Sequence, residues 1–212
     1  MAKRPVFFVK QGKVMSEMYS FEWYPGFAVS QKQKSIRSLH DAIIKADVNA
    51  KPLEISTKSM EDIGIKLSAF NLRINNDTLE NIFQSAKVFE NGGPYLDLLD
   101  VSPKEAKRDE RLHKSGDLKA FRYQNEEFPL IPLTVFYDFI YITAIKQSFT
   151  TDEINAILGY NYFTDIEFNP AKSINTQARA AAMLKLIVDE YGYLPSFDKD
   201  NFIQYHKEHI FY

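Results

Sequence analysis

Phe136-Tyr137-Asp138-Phe139-Ile140-Tyr141-Ile142-Thr143-Ala144-Ile145 is the stretch on which the fold turns. At 3.6 residues per turn, Phe136, Phe139, Ile140, Ile142, Thr143 and Ile145 surround most of the circumference. A helix from Phe136 to Phe149 therefore has no broad polar face and is expected to be buried at the centre. Downstream, Thr150-Thr151-Asp152-Glu153 caps a short helix ending at Gly159. After the loop Tyr160 to Lys172, Ser173 reads as the N-cap of a long helix through Ala178, Ala180, Ala181, Ala182, Leu184 and Ile187, stopped by Gly192. The tail holds Phe202, Ile203, Tyr205, Ile210 and Phe211, too apolar for a solvated extension, so it is expected to pack on the body.

Upstream, Ser102-Pro103-Lys104-Glu105 supplies an N-cap, a proline at the first helical position and a glutamate at the third, for a helix ending near Gly116. In Asn75-Asn76-Asp77-Thr78, Asp77 stands three positions before Glu80, the spacing of a capping box. The helix it opens is expected to reach Phe89 and stop at Asn91-Gly92-Gly93-Pro94. Leu53-Glu54-Ile55-Ser56 is a short strand. Ile36, Leu39, Ile43 and Ile44 give an amphipathic helix over Ser35–Ala46. Val6 to Val9, a turn at Gln11-Gly12 and Val14 to Trp23 form a β-hairpin closed by Pro25-Gly26. The expected fold is α+β, a mainly helical single domain with a small N-terminal hairpin or sheet. Its parts are 1–60 (hairpin, helix, strand), 61–192 (core helices with the site) and 193–212 (packed tail).

The 212 residues suffice for one sizeable core, and 45% hydrophobic with 25% charged residues excludes a disordered chain. No run approaches the roughly 18 uncharged apolar residues of a membrane span, and the stretch from Met1 to Phe8 has no signal-peptide pattern, so a soluble, cytoplasmic protein is expected. The absence of cysteine excludes disulfides, thiolate nucleophiles and Cys-ligated zinc, and four scattered histidines offer little for another metal; no metal or cofactor is expected. A net charge of -2 lacks the basic excess usual in nucleic-acid binders. Local patches would have to serve instead: Lys32, Lys34 and Arg37, or Lys104, Lys107, Arg108, Arg111 and Lys114, each more simply read as a solvated helix face.

Three places could carry chemistry. Glu80, Gln84 and Lys87 lie four and three apart, on one stripe if the helix continues, as an acid or nucleophile, an orienting amide and a cation; the bland alternative is a helix cap and a solvent face. The loop from Phe163 to Gln177, with Asp165, Asn169, Ser173 and Asn175, is either a ligand-facing loop or an Asx-rich connection that satisfies its own backbone. Leu67-Ser68-Ala69-Phe70-Asn71-Leu72 places polar Ser68 and Asn71 at a junction. No G-x-G-x-x-G or Walker pattern is present, so phosphate binding would rely on Lys, Arg and helix N-termini.

Ser68-Ala69-Phe70-Asn71, then Glu80-Asn81-Ile82-Phe83-Gln84-Ser85-Ala86-Lys87-Val88-Phe89, then Ser102-Pro103-Lys104-Glu105-Ala106 resemble, in this order, the motifs of the NADAR family. That family comprises N-glycosidases acting on ADP-ribose or related ribosyl compounds. The family's Ser-Asn-Phe stands here as Ser68-Ala69-Phe70 with Asn at 71, and its Gly-Arg pair as Lys107-Arg108. Gln31-Lys32-Gln33-Lys34-Ser35-Ile36, Lys87 to Tyr95, Phe136-Tyr137-Asp138 and the Phe163–Gln177 loop are similar to the branch encoded beside DNA ADP-ribosyltransferase toxins, over nearly the whole chain.

The resemblance implies an antitoxin enzyme that removes ADP-ribose from guanine in single-stranded DNA, releasing ADP-ribose, with a cognate toxin as a possible partner and no membrane. Such a reaction breaks a ribosyl C–N bond through an oxocarbenium-like transition state that a carboxylate stabilises. Glu80 is the carboxylate of choice and Asp165 the second. Lys87 either binds the diphosphate or, as a neutral amine, attacks the anomeric carbon. Gln84, Asn169, Asn175 and Gln177 would orient ribose hydroxyls or the base edge, and Phe83 or Trp23 would stack on a ring. Lys107, Arg108 and Lys172 would hold phosphates, with Ser68, Phe70, Asn71 and Ser173 completing the lining. Two rivals stand beside this reading: an N-glycosidase on a small phosphorylated ribosylamine, such as a riboflavin-pathway intermediate, and an antitoxin that merely binds its toxin.

Overall fold

The computed structural model describes residues 1–171, 173, 174 and 176–210, and the fold is α+β. In chain order its elements are β1 (Ala2–Lys10), β2 (Lys13–Phe21), α1 (Val29–Ala46), β3 (Pro52–Glu54), α2 (Asp62–Lys66), β4 (Arg73–Ile74), β5 (Asp77–Thr78), α3 (Leu79–Ser85) and β6 (Lys87–Phe89). After a 3-10 turn at Leu96–Leu99 come α4 (Pro103–Ala106), α5 (Arg111–Lys114), β7 (Leu118–Tyr123), β8 (Glu126–Phe128), α6 (Val135–Ser148), α7 (Thr151–Leu158), β9 (Tyr162–Thr164), α8 (Gln177–Tyr191) and α9 (Lys199–His209). They fall into two compact units, the first made of Met1–Ser68, Phe149–Pro195 and the residues from His209, the second of Ala69–Ser148 and Ser196–Glu208.

In the first unit the hairpin is in unbroken register from Ala2 opposite Phe21 to Lys10 opposite Lys13. Gln11 and Gly12 both take positive φ, the backbone of the two-residue turn whose twist matches paired strands. The sheet runs β2-β1-β9-β3, with β9 antiparallel to β1 and parallel to β3. Ile36, Leu39 and Ile43 of α1 bury against Val6, Phe21, Ala50 and Ile166. Alanines 178, 180, 181 and 182 of α8 are wholly buried, and their small side chains let the helix backbone approach β1 and β2 closely. Thr150 and Glu153 form the expected reciprocal capping box at the start of α7.

The second unit is built round α6, whose residues 135–142, 144 and 145 are all buried, as its unbroken apolar circumference requires. Phe136 stacks on Phe121 at 4.7 Å between ring centroids and lies 5.1 Å from Phe128, so β7 and β8 are tied to the helix by an aromatic layer. The tail is helical: α9 sets Phe202 against Phe139 and places His206 Nε2 2.9 Å from Asp138 Oδ2, both side chains fully buried. Strands order β6-β7-β8 in one sheet, and β4 and β5 make a small ribbon.

Several boundaries differ from the sequence reading. The helix α1 begins at Val29, six residues before Ser35, because its polar first turns need no apolar periodicity to be helical. The helix opening near Glu80 ends at Ser85, not Phe89; its cap is Thr78, which exchanges hydrogen bonds with Asn81, while Asp77 belongs to β5. From Lys87 the chain pairs with β7, and Arg122 N–H takes the Ala86 carbonyl at 2.7 Å, so sheet pairing replaces the next helical turn. Asn91-Gly92-Gly93-Pro94 is therefore a turn after a strand and not a helix stop. Ser102 caps with Glu105 as expected, but that helix breaks into α4 and α5. Thr176, not Ser173, precedes the first turn of α8. The tail residue Phe211 lies outside the described residues.

Gly93 shows how tightly that turn is held. Its φ is +84°, and a Cβ there would stand 2.2 Å from the Lys87 carbonyl oxygen, a backbone atom with no freedom to yield. Gly93→Ala is expected to cost about 1–3 kcal/mol, combining left-handed strain with overpacking, at roughly 2–4 °C of melting midpoint per kcal/mol for a chain of this size. Thermal denaturation checks this; an unchanged midpoint would show that the turn can shift freely.

Candidate active site

In the second unit, the loop 69–72 wraps the start of α3: Glu80 N–H bonds the Ala69 carbonyl and Leu79 N–H the Leu72 carbonyl. Orphan donors of the first turn are thus satisfied by backbone, and Phe70 and Asn71 are brought beside Glu80's turn. Glu80 and Gln84 are 5% and 6% exposed, which overturns the solvent-face alternative. Gln84 Nε2 donates to Glu80 Oε1 at 2.8 Å, and Lys87 Nζ donates to Gln84 Oε1 at 2.6 Å. The three side chains meet although Lys87 opens β6 and does not continue the helix.

Lys87 Nζ also lies 4.9 Å from the centre of the Phe83 ring. Burial among these groups pushes its ammonium down to about 8, with Glu80 opposing the shift and Lys107 adding to it. Lys107 Nζ stands 3.8 Å from Glu80 Oε1 and 5.6 Å from the centre of the Phe70 ring. Lys107 and Arg108 are exposed, as is Asn71. Phe83 is stacked against Phe121 at 5.3 Å and meets Tyr137 edge-on, so its ring is built into the aromatic layer.

The first unit holds a different arrangement. Asp165, at the end of β9, accepts the backbone N–H groups of Glu167 and Phe168 on Oδ1 and the Gln177 side-chain amide on Oδ2 at 3.0 Å. Asn169 Oδ1 accepts Ala171 N–H. Both thus hold their own loop, as the Asx reading of the segment has it. Asn169 and Ser173 are exposed; Lys172 and Asn175 lie outside the described residues. Ser68 is buried at the end of this unit's first segment. Trp23 packs on the core cluster, with Arg4 and Lys32 5.3 and 4.8 Å from its ring centre, and Lys32 pairs with Glu167 at 3.3 Å.

Glu54, His40, Thr164 and Arg4 were not singled out in the sequence, since one carboxylate in a three-residue strand and one histidine in a helix carry no spacing signal. Glu54 is fully enclosed; Thr164 Oγ donates to its Oε2 at 2.6 Å and Ile166 N–H to its Oε1 at 2.8 Å. Glu54 thereby grips the residues on either side of Asp165. Since the Thr164 hydroxyl proton goes to Glu54, its oxygen accepts from His40 Nε2 at 2.9 Å, and burial pushes the His40 imidazolium down to about 4, leaving the ring neutral. Among the described residues no group of three or more His, Asp or Glu side chains is arranged to hold a metal ion.

A family model described as DarT1-associated NADAR antitoxin matches residues 2–211. The chain belongs to this family. It is accordingly an antitoxin of the NADAR type, and the family's name ties it to a DarT1 toxin. No curated protein matches it. Among the described residues of this NADAR antitoxin no helix is long and apolar enough to cross a membrane.

The two buried carboxyls of the NADAR first unit give a pH test. Burial, then the charge of Asp165, pushes Glu54 up to about 7, and burial pushes Asp165 up to about 6 against the hydrogen bonds that favour its charge. Both folded values lie above those of the unfolded chain, near 4, so the fold keeps protons that the unfolded chain releases. Their stabilisation is complete below about pH 4 and is lost as pH rises through 6 and 7. Urea unfolding between pH 4.5 and 7.5 is expected to show a steeper fall in stability for the wild type than for Glu54→Gln; parallel profiles would refute the assignment.

Proposed function

We propose that this NADAR antitoxin is an N-glycosidase that removes ADP-ribose from guanine bases in DNA, undoing the modification made by the toxin. One observation carries the reading: a buried carboxylate–amide–lysine chain, Glu80–Gln84–Lys87, whose lysine is held near the pH at which its amine becomes neutral. A buried lysine of this kind is suited to nucleophilic work, and a carboxylate beside it to stabilising positive charge on a sugar.

In the proposed reaction the neutral Lys87 amine attacks the anomeric carbon as the C–N bond to the base breaks. The bonding pair goes to the base nitrogen, which is protonated from solvent. The amine then loses a proton, the ring C–O bond opens with protonation of the ring oxygen, and a lysine imine remains. Water adds to the imine carbon and expels the amine, so the net change is addition of one water across the glycosidic bond. Glu80 stabilises the oxocarbenium-like charge of the first step. Gln84 orients Lys87 and a ribose hydroxyl, Lys107 and Arg108 take the phosphates, and Asp165 fixes the loop that carries Asn169 and Ser173.

Incubation with single-stranded DNA carrying ADP-ribose on guanine is expected to regenerate unmodified DNA; an adduct that persists at enzyme excess would overturn the proposal. Glu80→Gln should lower turnover by about 10²-fold or more with the fold intact, whereas an antitoxin acting only by binding its toxin would protect equally well with either residue. Borohydride added during turnover should trap ADP-ribose on Lys87, with no adduct in Lys87→Arg. If instead Lys87→Arg keeps most of its kcat and mainly raises KM, the lysine binds phosphate and water attacks directly. With Lys87 as the nucleophile, kcat/KM should rise with pH and level off above about 8, because only the neutral amine reacts; a flat profile from pH 7 to 9 would speak against it.

A further inference from the structure

Residues 1–40 hold seven Lys and Arg against two Glu, while the remainder holds 19 basic and 26 acidic residues. Between Trp23 and His40 there is no acid at all. In the first unit this stretch is the run into α1 and its first turns. Ile36 and Leu39 point into the core, which leaves Lys34 and Arg37, three apart and hence neighbours on the helix surface, exposed on the outer side. Neither has an ion-pair partner among the described residues. Lys32 differs, being mostly buried and spent on Glu167 and the Trp23 ring.

Phe27 stands immediately before Ala28, the residue that precedes α1, and is fully exposed, with Pro25, Gly26 and Val29 exposed beside it. An exposed phenyl ring just before α1, followed along the helix by two exposed cations with no ion-pair partner among the described residues, supplies the two components that hold a single strand, a π-face for a base and charges for the phosphates. Further along α1 Asp41 interrupts the positive run, and the exposed residues there are mixed, Ile44 beside Lys45, with Val48 exposed beyond the helix end. Charge complementarity thus singles out the Phe27 end for an anionic partner.

We infer that Phe27, Lys34 and Arg37 form a docking surface for single-stranded DNA, with a base stacked on Phe27 and phosphates held by the two cations. The choice of DNA rests on the reading of the protein as one that acts on DNA, but the surface lies wholly in the first unit and shares no residue with Glu80, Gln84 and Lys87.

The test is fluorescence anisotropy with an unmodified, labelled single-stranded 20-mer, for wild type, Phe27→Ala and the Lys34→Gln/Arg37→Gln pair, over a salt series. All three side chains are exposed, so the variants should fold. Phe27→Ala is expected to weaken binding about tenfold, in line with loss of one stacked base. The double variant should weaken binding and flatten the slope of log K against log salt by about 1.4, two phosphate contacts at roughly 0.7 each. With ADP-ribosylated oligonucleotide, the same changes should raise KM and leave kcat in place. Equal affinities and salt slopes in all proteins would overturn the inference, as would an unaltered affinity accompanied by a change from dimer to monomer in sedimentation. Residue-dependent DNA binding without release of ADP-ribose would leave this surface standing and remove the proposed activity instead.

Discussion

An amide has a donating end and an accepting end, and that asymmetry governs the candidate site. An ionised carboxylate only accepts, so Glu80 obliges Gln84 to turn its NH2 inward, which leaves the Gln84 carbonyl for Lys87. The lysine can then approach only as a donor. A neutral amine that gives one N–H to Gln84 keeps its lone pair directed elsewhere, and a hydrogen bond to an amide oxygen does not hold the proton as a carboxylate would. Direct contact of Lys87 with Glu80 would fix the ammonium; the interposed glutamine keeps the charge attraction and lets burial prevail. The backbone has to serve this chain: α3 must end so that Lys87 can enter the sheet, and Gly93 must lack a side chain so that the following turn can close over it.

The first unit handles buried charge differently. Glu54 and Asp165 are met mostly by neutral donors, the Thr164 hydroxyl, the Gln177 amide and backbone N–H groups, while the nearby Arg4 guanidinium is itself partly desolvated. Neutral donors stabilise a carboxylate less than a cation does, so burial pushes both carboxyls towards their protonated forms, helped at Glu54 by the charge of Asp165 and at Asp165 by that of Glu167. The same residue type therefore stands in two electrostatic settings in one chain, beside two lysines at Glu80 and beside a second acid at Glu54.

Much of this was legible in the sequence where local chemistry is strong. The all-round apolar Phe136 segment, the Thr150 capping box and the alternating hairpin each correspond to an element with near-matching bounds, and the Ser102 capping box starts its helix where expected although that helix stops early. Legibility failed where non-local pairing decided the outcome. Ile82, Ala86 and Phe89 keep helical spacing past Ser85, yet Lys87-Val88-Phe89 finds a partner in β7, a strand that alternation did not announce because its neighbouring residues Ala120 and Phe121 are both buried. The residues of the Glu80 chain were readable from spacing that assumed a longer helix, and the contact survives because Lys87 is long enough to reach back from the strand. Glu54 was not readable, since its surroundings come from residues more than a hundred positions away.

That distance has a kinetic side. β9 is only three residues long, yet it sits between β1 and β3, so the four-stranded sheet cannot close until residue 164 is available. The hairpin can form at once from local contacts, whereas its junction with β3 must wait while the intervening chain, including all of Ala69–Ser148, is made. Pairings of such sequence separation are the slow part of folding, and on a ribosome they come late. The order of events follows: a chain cut short anywhere before its last quarter lacks the strand that joins its own sheet, and the interval between starting a chain and having a finished first unit is written into the strand order.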